Sequence, residues 1–345
     1  MLKFSFTIPV YNGSKFLSRM LDSLLQQDMS YSEYEIVCVD DCSADNSVEI
    51  ITQYQLRYPN IRLHKNSKNC RLATNVNTLF SLAEGEYIWG IGQDDYIEPN
   101  CLGRLYSLLK KNNLDVIIFN YRRVNEDETT NAECRVVPNS TPQTGVEWIK
   151  DKFGANEYRR YILGYTWRSI CRNELIKKYE IQCVKDMNYE DTVLLLKMIV
   201  YAKRVMSVED MLYNYRINTR SITYNVNFRK RGDLIYEFAF IVGQEVETFY
   251  DQLITIDEEL AEGLYVHLIQ RYNNFTLDLI RTTNQYKRDF YRLVRSNKEF
   301  VHSKWQYLNW KSKILLNRYI GYLIACLGYI GYRCYKTLIP RRKAN

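Results

Sequence analysis

A chain of 345 residues with 46% apolar and 25% charged side chains can bury one large or two ordinary cores, which excludes a disordered or fibrous protein. The net charge of +7 is unevenly placed: nine Lys or Arg and no Asp or Glu follow residue 300, so the residues before it carry −2. A basic tail on a nearly neutral body points to an anionic surface as its partner and argues against a nucleic-acid-binding protein.

The first 125 residues alternate regularly. The apolar run 4–10 predicts a buried strand rather than a leader peptide, because Pro9 and Asn12 interrupt it and no small-residue cleavage site follows. Leu17, Met20, Leu21, Leu24 and Leu25 share one helical face. A second strand, 35–39, runs into Asp40-Asp41. A helix is expected over 45–57, a short strand over 61–64, and a helix over 74–83 that Gly85 stops. The fourth strand, 87–91, runs into Gly92-Gln93-Asp94-Asp95, Pro99 suits the first turn of the next helix, and 114–121 closes the series. Strands and helices at this spacing predict an α/β domain, Rossmann-like, with a mainly parallel sheet flanked by helices.

Residues 125–131 are polar and read as an exposed loop, and 204–208 and 211–216 read as two further strand segments. Three regions follow: a domain over 1–225, a mostly helical extension over 226–310, and a basic tail over 311–345. Within the tail, residues 319–332 hold no charge and are flanked by Arg318 and Arg333. That run is shorter than the roughly 20 residues a membrane span needs, and it suits a helix lying at an anionic membrane surface. A helix packed on the domain or making an oligomer contact is the alternative. The nine cysteines are scattered without a CxxC pair, which fits a reducing, cytosolic compartment, and the basic tail adds the expectation of a place at the inner face of the plasma membrane.

Two acidic turns at strand ends carry the chemistry. Paired carboxylates repel unless a cation or polar ligand compensates them, and ligands of open α/β sheets bind outside the carboxyl ends of the strands. The two turns together predict a polyanionic ligand carried by a metal. His64, His267 and His302 lack metal-ligand spacing, and no GxGxxG or P-loop motif is present.

The ordered motifs resemble those of the inverting glycosyltransferase family 2. Phe6-Thr7-Ile8-Pro9-Val10-Tyr11-Asn12 is similar to its opening strand, and Val39-Asp40-Asp41-Cys42-Ser43-Ala44-Asp45 to its usual Asp-Asp-Gly-Ser-x-Asp. Ala83-Glu84-Gly85-Glu86-Tyr87-Ile88 with Asp94-Asp95 is similar to the stretch ending in its metal motif, and Asn188-Tyr189-Glu190-Asp191 to its later acidic pair. Leu212-Tyr213-Asn214-Tyr215-Arg216 with Ser221-Ile222-Thr223 resembles the closing segment in capsule and O-antigen enzymes. The resemblance covers residues 3–225 and implies a GT-A fold, a nucleotide-sugar donor, and Mg²⁺ or Mn²⁺.

The same resemblance implies roles. Asp95 is expected as the chief metal ligand, with Asp94 on metal or ribose. Asp41, beside Asp40, would accept from the base, which suits uracil and hence a UDP-sugar, while Pro9, Tyr11, Asn12 and Arg71 complete the donor site. Asp191 would be the general base that takes the proton of an acceptor hydroxyl; as a helix N-cap it would have a second, structural use. Glu190, Trp167, Arg216 and Ser221 are candidates on the acceptor side, where a glycan or lipid-linked acceptor of cell-surface polysaccharide synthesis is expected. Two positions depart from the pattern: Thr74 stands where the family carries Arg, for which Arg71 is a substitute, and Gly92 stands where it carries Asp. A catalytically weak membrane scaffold and a sugar nucleotidyltransferase are the rival readings.

Overall fold

The computed structural model describes residues 2–153, 166–183, 191–218 and 243–263. The chain divides into two compact units, Met1–Tyr224 and Asn225–Asn345. In the first, β1 (Phe4–Val10), α1 (Ser14–Leu25), β2 (Tyr34–Asp40), α2 (Ser47–Gln55), β3 (Ile61–Lys65), α3 (Leu72–Leu82) and β4 (Tyr87–Gly90) alternate strand with helix. Then follow β5 (Tyr96–Ile97), α4 (Leu102–Lys111), β6 (Val116–Val124), β7 (Thr130–Cys134), α5 (Gly145–Phe153), a 3-10 turn (Thr166–Arg168), β8 (Ser169–Arg172), α6 (Asn173–Lys178), α7 (Asp191–Tyr201) and β9 (Val205–Arg216). In the second unit α8 spans Gly243–Ile254 and buries Phe249 and Leu253. Residues 258–263 are also helical and bury Leu260 and Ala261; the other parts of the expected helical extension and the basic tail lie outside the described residues.

The strands form one mixed sheet in the order β3-β2-β1-β4-β8-β6-β9-β5, with β7 beside β6. The pairings of β1 with β2 and β4, of β2 with β3, and of β6 with β9 are parallel. Every residue of β2 is buried, as are all of β1 except Pro9, because helices cover both faces of a parallel sheet. Ser5 and Thr7, which alternate with Phe4, Phe6 and Ile8 in β1, are therefore buried too, and β2 is apolar from Ile36 to Val39. Leu17, Met20, Leu21, Leu24 and Leu25 of α1 are buried together, as their spacing predicts. Parallel pairing also brings the carboxyl ends of β1, β2 and β4 to one edge, so the turns after Val10, Asp40 and Gly90 become neighbours.

Three local expectations are corrected. Pro99 lies in the turn before α4 and not in its first turn; the helix begins at Leu102, and its start is fixed by Gln27 and Asp28 beyond the end of α1. Gln27 Oε1 accepts from Cys101 N–H (3.0 Å) and Asp28 Oδ1 from Gly103 N–H (3.0 Å). The two segments expected over 204–208 and 211–216 form one strand, β9, whose register against β6 shifts around Asn120. There the buried Asn120 side chain donates to the Glu209 carbonyl (2.9 Å) and accepts from Val136 N–H (2.6 Å), replacing the interrupted ladder. Finally, part of the expected loop 125–131 is strand, since β7 begins at Thr130.

Candidate active site

The turn after β2 is held from within. Asp40 Oδ2 accepts from Ser43 N–H (3.1 Å), and Asp40 Oδ1 is buried without a partner. Asp41 points the other way and organises the loop between β3 and α3. Its Oδ1 accepts from Asn66 Nδ2 (2.9 Å) and Cys70 N–H (2.7 Å), and its Oδ2 from Arg71 N–H (3.1 Å). The sequence reading gives Asp41 to a ligand; the structure commits most of its acceptor capacity, roughly four lone-pair sites, to that loop. Arg71 itself is exposed at the mouth of α3, with a left-handed backbone (φ 66°) that the Asp41 contact stabilises.

Cys42, in the turn after β2, also has a left-handed backbone (φ 63°). A left-handed conformation strains any residue with a Cβ, which accounts for the Gly usual at this position of the motif. Cys42 is exposed, so little packing opposes a change. Cys42→Gly is expected to raise stability by about 0.5–1 kcal/mol, the net of relieved strain and added unfolded-state entropy. Urea unfolding measures it as a higher midpoint at unchanged slope; a lower midpoint would show that the thiol's contacts outweigh the strain.

The turn after β1 is tied to its neighbours at several points. Tyr11, 49% exposed, exchanges hydrogen bonds with Gln93: its N–H donates to Oε1 (2.9 Å) and its carbonyl accepts from Nε2 (3.0 Å). Asn12 N–H donates to Ser43 Oγ (3.0 Å), and Asn12 Oδ1 accepts from Ala44 N–H (2.8 Å). Pro9 is half-buried in β1 opposite Val39. The structure therefore assembles Pro9, Tyr11, Asn12, Asp40, Asp41, Arg71 and Asp94 around one edge of the sheet, with Gln93, Asn66 and Ser43 as linkers that the sequence reading does not single out.

Asp94 and Asp95 are adjacent but differently placed. Asp95 is 3% exposed, and both its oxygens are taken: Oδ2 accepts from Tyr213 O–H (2.6 Å) and Oδ1 from Arg216 N–H (2.8 Å). Asp94 is half-buried, and its Oδ2 accepts from Asn218 Nδ2 (3.0 Å). Burial raises the carboxyl pKa of both, and for Asp95 the charge of Asp94 adds to the rise. The expectation that Asp95 is the chief metal ligand is weakened by its burial and by a hydrogen bond already accepted on each oxygen, whereas Asp94 has one oxygen bonded among the contacts described. Asp94 is the more accessible of the two. The departure at Gly92 has a local reason as well: a Cβ there would lie 2.5 Å from Asp95 Oδ2, so any side chain would push that carboxylate aside.

Arg216 is not placed for an acceptor. Its side chain is 2% exposed, and it spans three anchors: Nε donates to the Asp94 carbonyl (2.9 Å), Nη1 to the Glu126 carbonyl (2.8 Å) and Nη2 to Glu128 Oε1 (2.9 Å). Glu128 also binds Arg19 Nε (2.9 Å) and Glu126 pairs with Lys15, so the β6–β7 turn straps α1 to the acidic turn. Trp167 lies in the 3-10 turn with its ring stacked on Tyr213 (4.4 Å, 17°) and Tyr215 (5.3 Å, 12°). Asp191 opens α7, which packs against α5, α6 and the turn bearing Trp167. Glu190 and Ser221 lie outside the described residues.

The donor set suits a divalent cation shared with a diphosphate. Among the described residues no three His, Cys, Asp or Glu converge as a self-sufficient metal site. Asp94 offers one carboxylate in a desolvated setting where a cation would offset the repulsion from Asp95. Mg²⁺ characteristically takes only one or two carboxylates and fills its shell with phosphates and water.

Residues 5–162 match the family described as Glycosyl transferase family 2. The match, to a family 2 glycosyltransferase domain, covers a little under half of the chain. Poly(ribitol-phosphate) β-N-acetylglucosaminyltransferase TarS of Staphylococcus aureus is 28% identical to this chain over 286 residues, covering 80% of this chain and 46% of that protein. Poly(ribitol-phosphate) β-glucosyltransferase of Bacillus spizizenii is 38% identical over 125 residues, 36% of this chain and 20% of the relative. The chain thus spans about half the length of TarS, or less for the second relative. The crystal structure of S. aureus TarS 1–349 with UDP-GlcNAc superposes with a TM-score of 0.62 at 21% identity, covering 97% of this chain and 92% of that one. That likeness is one of fold, and it places the family 2 domain in the GT-A class.

Proposed function

We propose that the family 2 domain transfers a sugar, with inversion, from a UDP-linked donor to a hydroxyl of a cell-surface polymer. The observation that carries the reading is the half-buried Asp94 carboxylate after β4, on the same carboxyl edge of the sheet as the loop that Asp41 organises. Uracil would be held against that loop, its imide N–H taking the acceptor position Asp41 retains after its three protein donors. Asp94 would hold a divalent cation, which supplies charge stabilisation for the departing diphosphate. Asp191 would take the proton of the attacking hydroxyl from the far side of the sugar.

The acceptor follows from the relatives. Two of them are named for poly(ribitol-phosphate) yet differ in the sugar they transfer, so a polyol-phosphate polymer is the acceptor class that best joins them to this chain. This is narrower than the glycan or lipid-linked acceptor that the motifs alone imply. The test is a thermal-shift panel of the full chain with UDP-GlcNAc, UDP-glucose and GDP-mannose, each with Mn²⁺ or EDTA. The uridine donors should raise Tm in Mn²⁺, with a stabilisation of about 2.7 kcal/mol at a hundredfold excess over Kd. A shift with GDP-mannose and none with either UDP-sugar would sink the donor assignment.

A further inference from the structure

The closing motif contains a residue that the reaction as described leaves unused. Tyr213, fully buried in β9, places its hydroxyl between two parts of the acidic turn. It accepts from Gly92 N–H (2.9 Å) and donates to Asp95 Oδ2 (2.6 Å). One hydroxyl therefore joins the first and last residues of the Gly92-Gln93-Asp94-Asp95 turn, and Asp94 is carried on the span between them. Asp95 N–H closes the same turn onto the Gly92 carbonyl (3.1 Å). Gln93 is pinned separately by its two contacts with Tyr11. Asp94 is thus presented from a backbone with every neighbour fixed.

The ring of Tyr213 sets where that hydroxyl sits. It stacks on Trp167, whose carbonyl accepts from Trp89 Nε1 (2.9 Å) in β4, the strand that leads into the turn. The hydroxyl's position is therefore set by packing between β9 and β4 and not by the turn itself. A buried hydroxyl donating to a carboxylate is also among the stronger neutral-to-charged hydrogen bonds.

We infer that Tyr213 is a positioning residue for the cation-binding turn: its hydroxyl bridges Gly92 and Asp95 and holds Asp94 where a divalent ion and a diphosphate can be bound together. The inference rests on the proposed role of Asp94. It predicts that losing the hydroxyl weakens the cation-assisted part of nucleotide binding and spares the remainder, since the Asp41 loop makes no contact with Tyr213 among the bonds described. Tyr213→Phe keeps the ring and its stacking, and removes only the bridge.

The experiment titrates UDP into the full chain by calorimetry, in MnCl₂ and in EDTA, for the unaltered protein, Tyr213→Phe and Gly92→Ala. Gly92→Ala is the second variant because its Cβ would lie 2.5 Å from Asp95 Oδ2 and 3.4 Å from the Tyr213 hydroxyl, forcing the same bridge open from the other side. The expected result is UDP affinity in EDTA unchanged, with the gain on adding Mn²⁺ reduced about tenfold in both variants, the size expected when a hydrogen bond to a charged group is lost. An undiminished Mn²⁺ gain in a folded variant would overturn the inference alone. Equal losses in Mn²⁺ and EDTA would also overturn it, by showing a general structural role. No Mn²⁺ gain in the unaltered protein would overturn the Asp94 reading and the inference with it. Should Tyr213→Phe not fold, Gly92→Ala decides by the same comparison.

Discussion

Asp94→Asn is expected to lower kcat/KM by about 10²–10³, the usual cost of removing one group that stabilises developing charge, while leaving Tm unchanged or raised. The two halves of this result have one cause. Asp94 is a carboxylate held in a desolvated site beside a second carboxylate, so in the free protein its charge is a burden that burial expresses as a raised pKa. Asn is nearly isosteric, keeps an oxygen for the Asn218 amide that now donates to Oδ2, and removes the charge. A residue whose neutral replacement costs activity but not stability is one that the fold tolerates for its function. Asp95→Asn should behave in the opposite sense. It disturbs acceptors used by Tyr213 O–H and Arg216 N–H, so Tm should fall. Thermal unfolding in EDTA and turnover in Mn²⁺, measured on both variants, make the comparison. If Asp94→Asn melts lower and turns over normally, the roles of the two residues are exchanged.

The parallel half of the domain was legible because its determinants are local. Burial on both faces makes β2 apolar from Ile36 to Val39, α1 shows its face in the spacing of five residues, and the acidic turns sit where β2 and β4 stop. The part from β5 onward was legible only in pieces, because its determinants lie far away in sequence. β5 has only two residues and exists through pairing with Asn214 and Tyr213. β9 looks broken at Glu209 and Asp210, yet it continues because Asn120, some ninety residues earlier, bridges the irregular register. In the site the same division holds. The motif identified the Asp94-Asp95 pair, but which carboxylate the fold engages through both oxygens depends on Tyr213 and Arg216, 118 and 121 positions away. The resemblance of the closing segment makes Arg216 a candidate on the acceptor side. Its burial against Glu128 and the Asp94 carbonyl depends on the β6–β7 turn, and no spacing within β9 reveals that.

Asp191→Asn separates two uses that one side chain can combine. As the first residue of α7, position 191 favours groups that accept from free N–H donors, and the helix dipole stabilises an anion there. Those features suit a cap and also suit a carboxylate that must stay ionised to take a proton. Asn caps a helix about as well as Asp but does not act as a base near neutral pH. If 191 is only a cap, Asn should leave turnover near normal and change stability by no more than a few tenths of a kcal/mol, the dipole contribution. If Asp191 is the base, stability should be equally preserved while kcat falls by about 10²–10⁴ with UDP-sugar affinity intact. The second outcome is expected. The deciding measurement pairs single-turnover sugar transfer with calorimetric UDP-GlcNAc binding on the same preparation. Asp191→Ala then serves as the control, since it removes both the cap and the base and should lose about 1 kcal/mol of stability in addition. Turnover within a few-fold of the unaltered protein for Asp191→Asn would return the residue to a structural role and send the search for the base elsewhere on the acceptor side.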